Sequence, residues 1–267
     1  AQVISYEAAM GLAIISMLLS YGSIHLTDMV NAQTGTYLGV IPMWGIFIQP
    51  IAAVIFIICA FAETNRAPFD LAEGESELVA GYHTEYSAMK FGLFQVGEYS
   101  AMSASSAIIV TLFFGGYQIP WLDTQAIQSN MNYIIMAIIL TLPIAVLIVT
   151  SWMKKNNKAI GTNSSRQKET KILTVVFWAL ALIIVSLLSI FLITGLGTNG
   201  VNIATAIIQV GTFLIKFFLM AFVYIWVRWT VLRFRYDQLQ MLGWKVLIPL
   251  AILNIIVTAI IVVVIGS

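Results

Sequence analysis

Charge is what this sequence has least of. Only 9% of its 267 residues are Asp, Glu, Lys or Arg, while 60% are hydrophobic. The mean hydropathy of +0.94 lies far outside the range of a soluble globular domain. A single cysteine, Cys59, excludes a disulfide framework and a thiolate metal site. Set inside an apolar run, it reads as a small buried hydrophobe. The two histidines, His25 and His83, are too few for a haem-ligating or zinc core and read as interfacial residues. No cofactor is expected on this chain, and no nucleic-acid partner. The opening AQVISYE has neither a Met nor a charged-then-apolar signal pattern, which is expected of a piece cut from a longer chain.

Long hydrophobic runs are what it has instead, several of them reaching the ~20 residues needed to cross a bilayer. We expect an all-α, polytopic transmembrane bundle of about seven spanning helices, in one membrane domain over 1–267. The spans fall at about 8–26, 42–62, 84–116, 131–153, 171–194, 203–229 and 245–265. Pro42 starts the second as an N1 proline would. The third is long enough to be tilted or kinked and is closed by Gly115-Gly116. Only helices or closed barrels satisfy the backbone in lipid, and these runs are too long and continuously apolar for barrel strands. No internal repeat is evident.

The distribution of bases sets a topology. With the N-terminus inside, segments 63–83, 154–171 and 228–245 share one side. With their helix ends they hold Arg66, Lys154, Lys155, Lys158, Arg166, Lys168, Lys171, Arg228, Arg233, Arg235 and Lys245. The opposite loops 27–41, 117–130 and 195–202 hold no Lys or Arg, a strong positive-inside asymmetry. The other two bases, Lys90 and Lys216, fall within helices.

Seven of the twelve carboxylates crowd into 61–99: Glu63, Asp70, Glu73, Glu75, Glu77, Glu85 and Glu98. Acids near hydrocarbon cost several kcal/mol each unless paired, solvated or protonated. Segment 63–83 reads as an acidic loop on the cytoplasmic side. Glu73, Glu75 and Glu77, spaced by two, raise one another's apparent pKa values and form a group able to hold and pass a proton. A solvated acidic loop is the alternative. Arg66 is the one base there and the natural partner of Glu63 or Asp70. Glu98 falls near the middle of the long helix, either on a pathway or in an ion pair. Lys216, a second mid-membrane charge, is the expected intramembrane partner. The aromatics of 217–236 read as lipid contact and interface belt.

The run AETNRAPFDLAEGESELVAGYHTEYSAMKFGLFQVGEY closely resembles the signature of one membrane subunit of NADH:quinone oxidoreductase (respiratory complex I), the bacterial counterpart of mitochondrial subunit 1. AQVISYE, FFGGYQIPW and IWVRWTVLRFRYDQLQMLGWKVLIPL resemble further stretches of that family. The resemblance implies that Glu63, Asp70, Glu73, Glu75, Glu77, Glu85 and Glu98 transfer protons between a quinone cavity and a pumping arm. It places Arg66, Phe69 and Arg235 at the cavity, with Arg233, Arg235 and Asp237 in the loop facing the peripheral arm. It implies quinone as substrate and no redox centre here, with FMN and iron–sulfur clusters in partner subunits. The partners implied are the other membrane and peripheral subunits, above all those at the quinone site, and the lipid bilayer. The setting implied is a bacterial inner membrane, or alternatively the mitochondrial one. Two helices of the family are expected before Ala1. Residues 127–197 exceed the family pattern and read as an inserted helical hairpin around basic loop 154–171, packed against lipid or a neighbouring subunit. Two rival readings are the corresponding subunit of an energy-converting hydrogenase and a stand-alone cation transporter, the second weakened by the lack of repeats.

Overall fold

The structure is a computed structural model and describes residues 2–37, 41–64, 68–69, 86–159, 164–195, 197–232 and 234–266. In chain order the elements are α1 (Gln2–Tyr21), α2 (Leu26–Ala32), β1 (Thr36–Tyr37), β2 (Ile41–Pro42), α3 (Gly45–Ile48), α4 (Pro50–Glu63), α5 (Ala88–Phe113) and α6 (Thr124–Ser129). They continue with α7 (Met131–Ala159), α8 (Ser164–Thr194), α9 (Thr198–Thr230), α10 (Tyr236–Met241), a π-helical turn (Leu242–Leu247) and α11 (Ile248–Gly266). The protein is an all-α polytopic bundle whose only described strands, β1 and β2, form a two-residue antiparallel pair.

Among the described residues, six helical stretches are long and apolar enough to cross a membrane: Ile4–Tyr21, Met89–Phe113, Met131–Asn157, Lys168–Ile193, Thr198–Thr230 and Tyr236–Val264. The seventh expected span, 42–62, is broken. Pro50, not Pro42, takes the N1 position, and α4 runs only from Pro50 to Glu63. A proline disfavours the α conformation in the residue before it, and Gln49 duly sits at φ −129°, ψ 61° between α3 and α4. Pro42 lies in β2 instead.

The chain divides into two compact units, one made of residues 1–123 with 209–267, the other of 124–208. In the first, α1 is the central helix. Tyr6, Ala9, Ala13 and Met17 recur at helical spacing and are all buried, facing Ala52, Ala53, Phe56 and Ala60 of α4 in one continuous core. Small residues on both helices let their backbones approach closely, as membrane helix pairs require. Ile109, Val110 and Phe113 at the end of α5 join the same core, with Phe56 and Phe113 at a ring separation of 5.5 Å.

One cluster of polar groups buried among these helices is mutually paired. Gln49 donates from Nε2 to Ser20 Oγ and Thr258 Oγ1, both at 2.9 Å, and its Oε1 accepts from Asn254 Nδ2 at 3.0 Å. That amide ties α1, α4 and α11 together where the chain is broken by Pro50. The π turn is seated on α1: a Cβ on Gly243 would fall 2.7 Å from Ser5 Oγ. Tyr6, next along α1, donates its hydroxyl to the Leu239 carbonyl at 2.8 Å, just ahead of that wide turn.

In the second unit, α7 and α8 form an antiparallel hairpin joined near its bend by a hydrogen bond from Asn157 Nδ2 to Thr170 Oγ1. Of the expected basic loop 154–171, residues 154–159 and 164–171 are helical. Charged side chains do not stop a helix that leaves the apolar layer, since Lys, Arg and Gln are good helix formers.

Candidate functional site

The site starts where α4 ends. Thr64 closes the helix, its hydroxyl donating to the carbonyls of Ala60 at 3.0 Å and Phe61 at 3.2 Å. This leaves Glu63 exposed at the helix terminus, just beyond the apolar run ending at Ala62. Partial desolvation raises its carboxyl above the usual carboxylate range, and the neighbouring charge of Glu7 raises it further. The charge of Glu7 on α1 is thus felt at Glu63. Sequence alone assigns Glu7 no role, because nothing local reveals that α1 brings it to the end of α4.

Tyr6, the residue before Glu7 on α1, belongs to an aromatic cluster. Phe69 is buried, edge-on to Tyr6 at 5.9 Å and tilted against Phe234 at 5.7 Å. The Phe234 amide donates to the Pro68 carbonyl at 3.2 Å. Pro68 and Phe69 of the ETNRAPFD motif are thereby pinned to the segment between α9 and α10. Arg235, the N-cap of α10, is exposed and pairs with Asp237 at 3.2 Å. So the structure joins Phe69 to the strand of chain that carries Arg235, and holds the Phe69 ring inside protein packing.

Tyr224 sets the level of Glu98. Its ring stacks on Phe61 of α4 at 4.1 Å, and its hydroxyl shares a 2.8 Å hydrogen bond with Ser105 of α5. Helices α5 and α9 are antiparallel there, because Phe114, the C-cap of α5, meets Lys216 of α9 further along. From the Tyr224 layer, Glu63, Glu98 and Arg228 all lie in the same direction. Glu98 itself is half-buried, about 15 Å along α5 from its start at 1.5 Å per residue. The next residue, Tyr99, lines a cleft of about 230 Å³ with Met102, Tyr224, Ile225, Arg228 and Trp229.

Lys216 is not the partner of Glu98. Its ammonium donates to the carbonyls of Phe114 (2.7 Å), Gly116 (3.0 Å) and Gln118 (2.5 Å), and stands 4.5 Å from the centre of the Trp44 ring. Three acceptors saturate an ammonium's three protons. Glu98 lies sixteen residues before Phe114, about 24 Å away along the helix. Lys216 instead caps the C-terminal end of α5, where the helix dipole favours a cation. Gln33 serves the same turn: its Oε1 accepts from the amides of Gly45 (3.1 Å) and Gly115 (2.9 Å), and its Nε2 donates to the carbonyls of Met29 (3.3 Å) and Thr111 (3.1 Å).

Gly115 and Gly116 end α5 as the sequence implied, at φ +71° and +51°, with the Gly116 amide reaching back to the Val110 carbonyl at 3.0 Å. Of the other sequence-expected site residues, Arg66, Asp70, Glu73, Glu75, Glu77 and Glu85 lie outside the described residues, as does Arg233.

Comparison with known proteins bears on this arrangement. The family profile described as NADH dehydrogenase matches residues 1–158 and 170–259. The chain belongs to the NADH dehydrogenase family. It is 38% identical over 269 residues to an NADH-quinone oxidoreductase subunit of Bdellovibrio bacteriovorus, covering 97% of this chain and 54% of that protein. It is 39% identical over 259 residues to the subunit of the same name in Flavobacterium psychrophilum, covering 97% and 53%. Subunit 8 of the Rhodothermus marinus NADH-quinone oxidoreductase is 38% identical over 259 residues, covering 97% and 56%. The chain spans about half the length of the curated relatives it matches.

Proposed function

We propose that this chain is the quinone-cavity and proton-coupling membrane subunit of a proton-pumping NADH:quinone oxidoreductase, in the inner membrane of a bacterium. The observation carrying the proposal is its similarity, over nearly its whole length, to family members named as a subunit of NADH-quinone oxidoreductase. It acts as one subunit among membrane and peripheral partners, which supply the FMN and iron–sulfur centres, and quinone is the substrate of the assembly.

The carboxylates give this role a physical form. Electron transfer to quinone at the peripheral face changes the charge in the cavity. Glu63, Asp70, Glu73, Glu75, Glu77, Glu85 and Glu98 carry that change into the membrane as proton movement, with Arg66, Phe69 and Arg235 at the cavity wall. The raised carboxyl of Glu63 at the end of α4 supports the reading, since a carboxylic acid pushed above its ordinary range by desolvation is better able to hold and release a proton. So does a half-buried Glu98 on the same side of the Tyr224 layer as Glu63.

Glu98→Gln in the assembled enzyme tests it. The variant keeps the size and shape of the side chain and removes its titration and charge. We expect the complex to assemble and proton translocation per NADH oxidised to fall. Unchanged pumping by assembled, active enzyme would remove Glu98 from the path.

A further inference from the structure

The α7–α8 hairpin carries a feature that proton coupling does not use. Segment 154–171 contains six bases and one acid, Glu169. Asn157 of α7 bonds Thr170 of α8, which aligns the two helices at this end. Lys154 and Lys155 stand three and two residues before Asn157, while Lys168 and Lys171 flank Thr170. At 1.5 Å per residue all four lie within about 5 Å of that contact along the helix axes, and all four are exposed. They make a band of positive charge around the end of the hairpin.

Apolar surface begins directly beneath that band. Trp152 on α7 is 63% exposed, and Ile172 and Val175 on α8 are 63% and 67% exposed. An exposed tryptophan next to lysines marks the boundary between hydrocarbon and headgroups, where lysine stems lie along apolar surface and their ammonium groups reach the polar layer. Lys168 and Lys171, at i and i+3, share a helix face; Glu169 points about 100° away from Lys168. Two like charges so placed destabilise a bare helix, and an anion set between them relieves the repulsion.

We propose that this band binds the phosphate headgroups of anionic phospholipids, with Lys168 and Lys171 as paired donors and Lys154 and Lys155 extending the site around the hairpin. Juxtamembrane lysines attract anionic lipid surfaces with a free energy that corresponds to about fivefold per residue, and charge complementarity favours this occupant over a zwitterionic lipid. The hairpin thus acts as a lipid-selective anchor, independent of the proton path.

The test is lipid selectivity in the assembled complex reconstituted into phosphatidylcholine bilayers, read by electron paramagnetic resonance of trace spin-labelled phosphatidylglycerol against spin-labelled phosphatidylcholine. We expect at least a fivefold preference for phosphatidylglycerol at low salt, falling towards unity at 1 M salt, where screening acts within about 3 Å. Changing Lys154, Lys155, Lys168 and Lys171 together to Gln should bring the preference within twofold of unity, while the same four changed to Arg should keep it. If the fourfold Gln variant does not fold, Lys168→Gln with Lys171→Gln decides, with at least a threefold loss expected. No preference in the unaltered protein would overturn the proposal, as would preference retained by the Gln variants. Loss of partner subunits from the Gln variant with lipid preference intact would assign the lysines to a protein interface and equally overturn it.

Discussion

Replacing Lys216 by Met keeps the apolar stem and removes the ammonium that gathers the carbonyls of Phe114, Gly116 and Gln118. Hydrogen bonds from a charged donor are worth about 1.5–3 kcal/mol each, and the contact with Trp44 adds up to about 1–2 kcal/mol. Against these stands the desolvation of a half-buried ammonium, several kcal/mol, which the variant recovers. Loss of the carbonyls' partner leaves a net destabilisation of about 3 kcal/mol. At roughly 2–4 °C per kcal/mol for a chain of this size, Tm should fall by about 6–12 °C. Cys59 supplies the readout, since it is the one cysteine and is buried; a thiol-reactive fluorophore then reports its exposure as detergent-solubilised protein unfolds. A double-mutant cycle with Glu98→Gln decides between capping and ion pairing. Groups about 24 Å apart with no shared partner should couple by no more than about 0.5 kcal/mol. A coupling above about 1 kcal/mol, or stability restored by Glu98→Gln, would refute the capping role.

Gly115→Ala should also destabilise strongly. Its φ of +71° costs an alanine about 1–2 kcal/mol, and the new methyl would fall 2.6 Å from Trp44 Nε1. An unchanged Tm would show that the turn rearranges freely. Gln49→Leu strips Asn254, Ser20 and Thr258 of their shared partner and should cost about 2–3 kcal/mol in the same thermal assay. Glu7→Gln removes the like charge beside Glu63, so the Glu63 carboxyl should titrate at lower pH, though desolvation keeps it above the ordinary range. Infrared difference spectra of its carboxyl band across pH check this, and an unmoved midpoint would dissolve the pair.

The apolar runs were legible because a membrane helix announces itself by length and hydropathy alone, and Gly115-Gly116 announced the end of α5 because few other residues tolerate left-handed backbone. Pro42 and Pro50 were not separable in the same way. Both precede apolar residues, and only the pairing of Thr36 with Pro42 and Tyr37 with Ile41 removes the first from helix. Lys216 misled for a deeper reason. A lone base in a membrane helix calls for an acid only if side chains are its sole acceptors, whereas its acceptors are backbone carbonyls exposed by a glycine turn one hundred residues away. The charge at the ends of α7 and α8 suggests loop, although charge marks only where the helices leave the apolar layer. Glu7 escaped notice because its neighbourhood is made by packing between α1 and α4, not by spacing.

The groups that hold the end of α5 and the carboxylate assigned to the proposed proton path lie at different ends of that helix, so on the proposed reading one helix is both fixed and responsive. At its C-terminal end Ile109 and Phe113 are fully buried, Gln33 and Lys216 hold the backbone of the following turn, and Gly115 is pressed against Trp44. Towards its start Met89, Leu93 and Val96 are exposed at 83%, 71% and 65%, so that half is not held by the described parts of its own unit. Glu98 sits just inside this loosely packed half, between the fixed layer at Ser105–Tyr224 and the helix start. On the proposed reading, a change of charge near Glu63 meets a helix anchored beyond the Tyr224 layer and less tightly packed before it. Severing the anchor should leave the carboxylates in place and loosen their spacing. Lys216→Met ought for that reason to lower proton translocation per electron pair more than it lowers quinone reduction, and equal losses of both would place the clamp outside the coupling route.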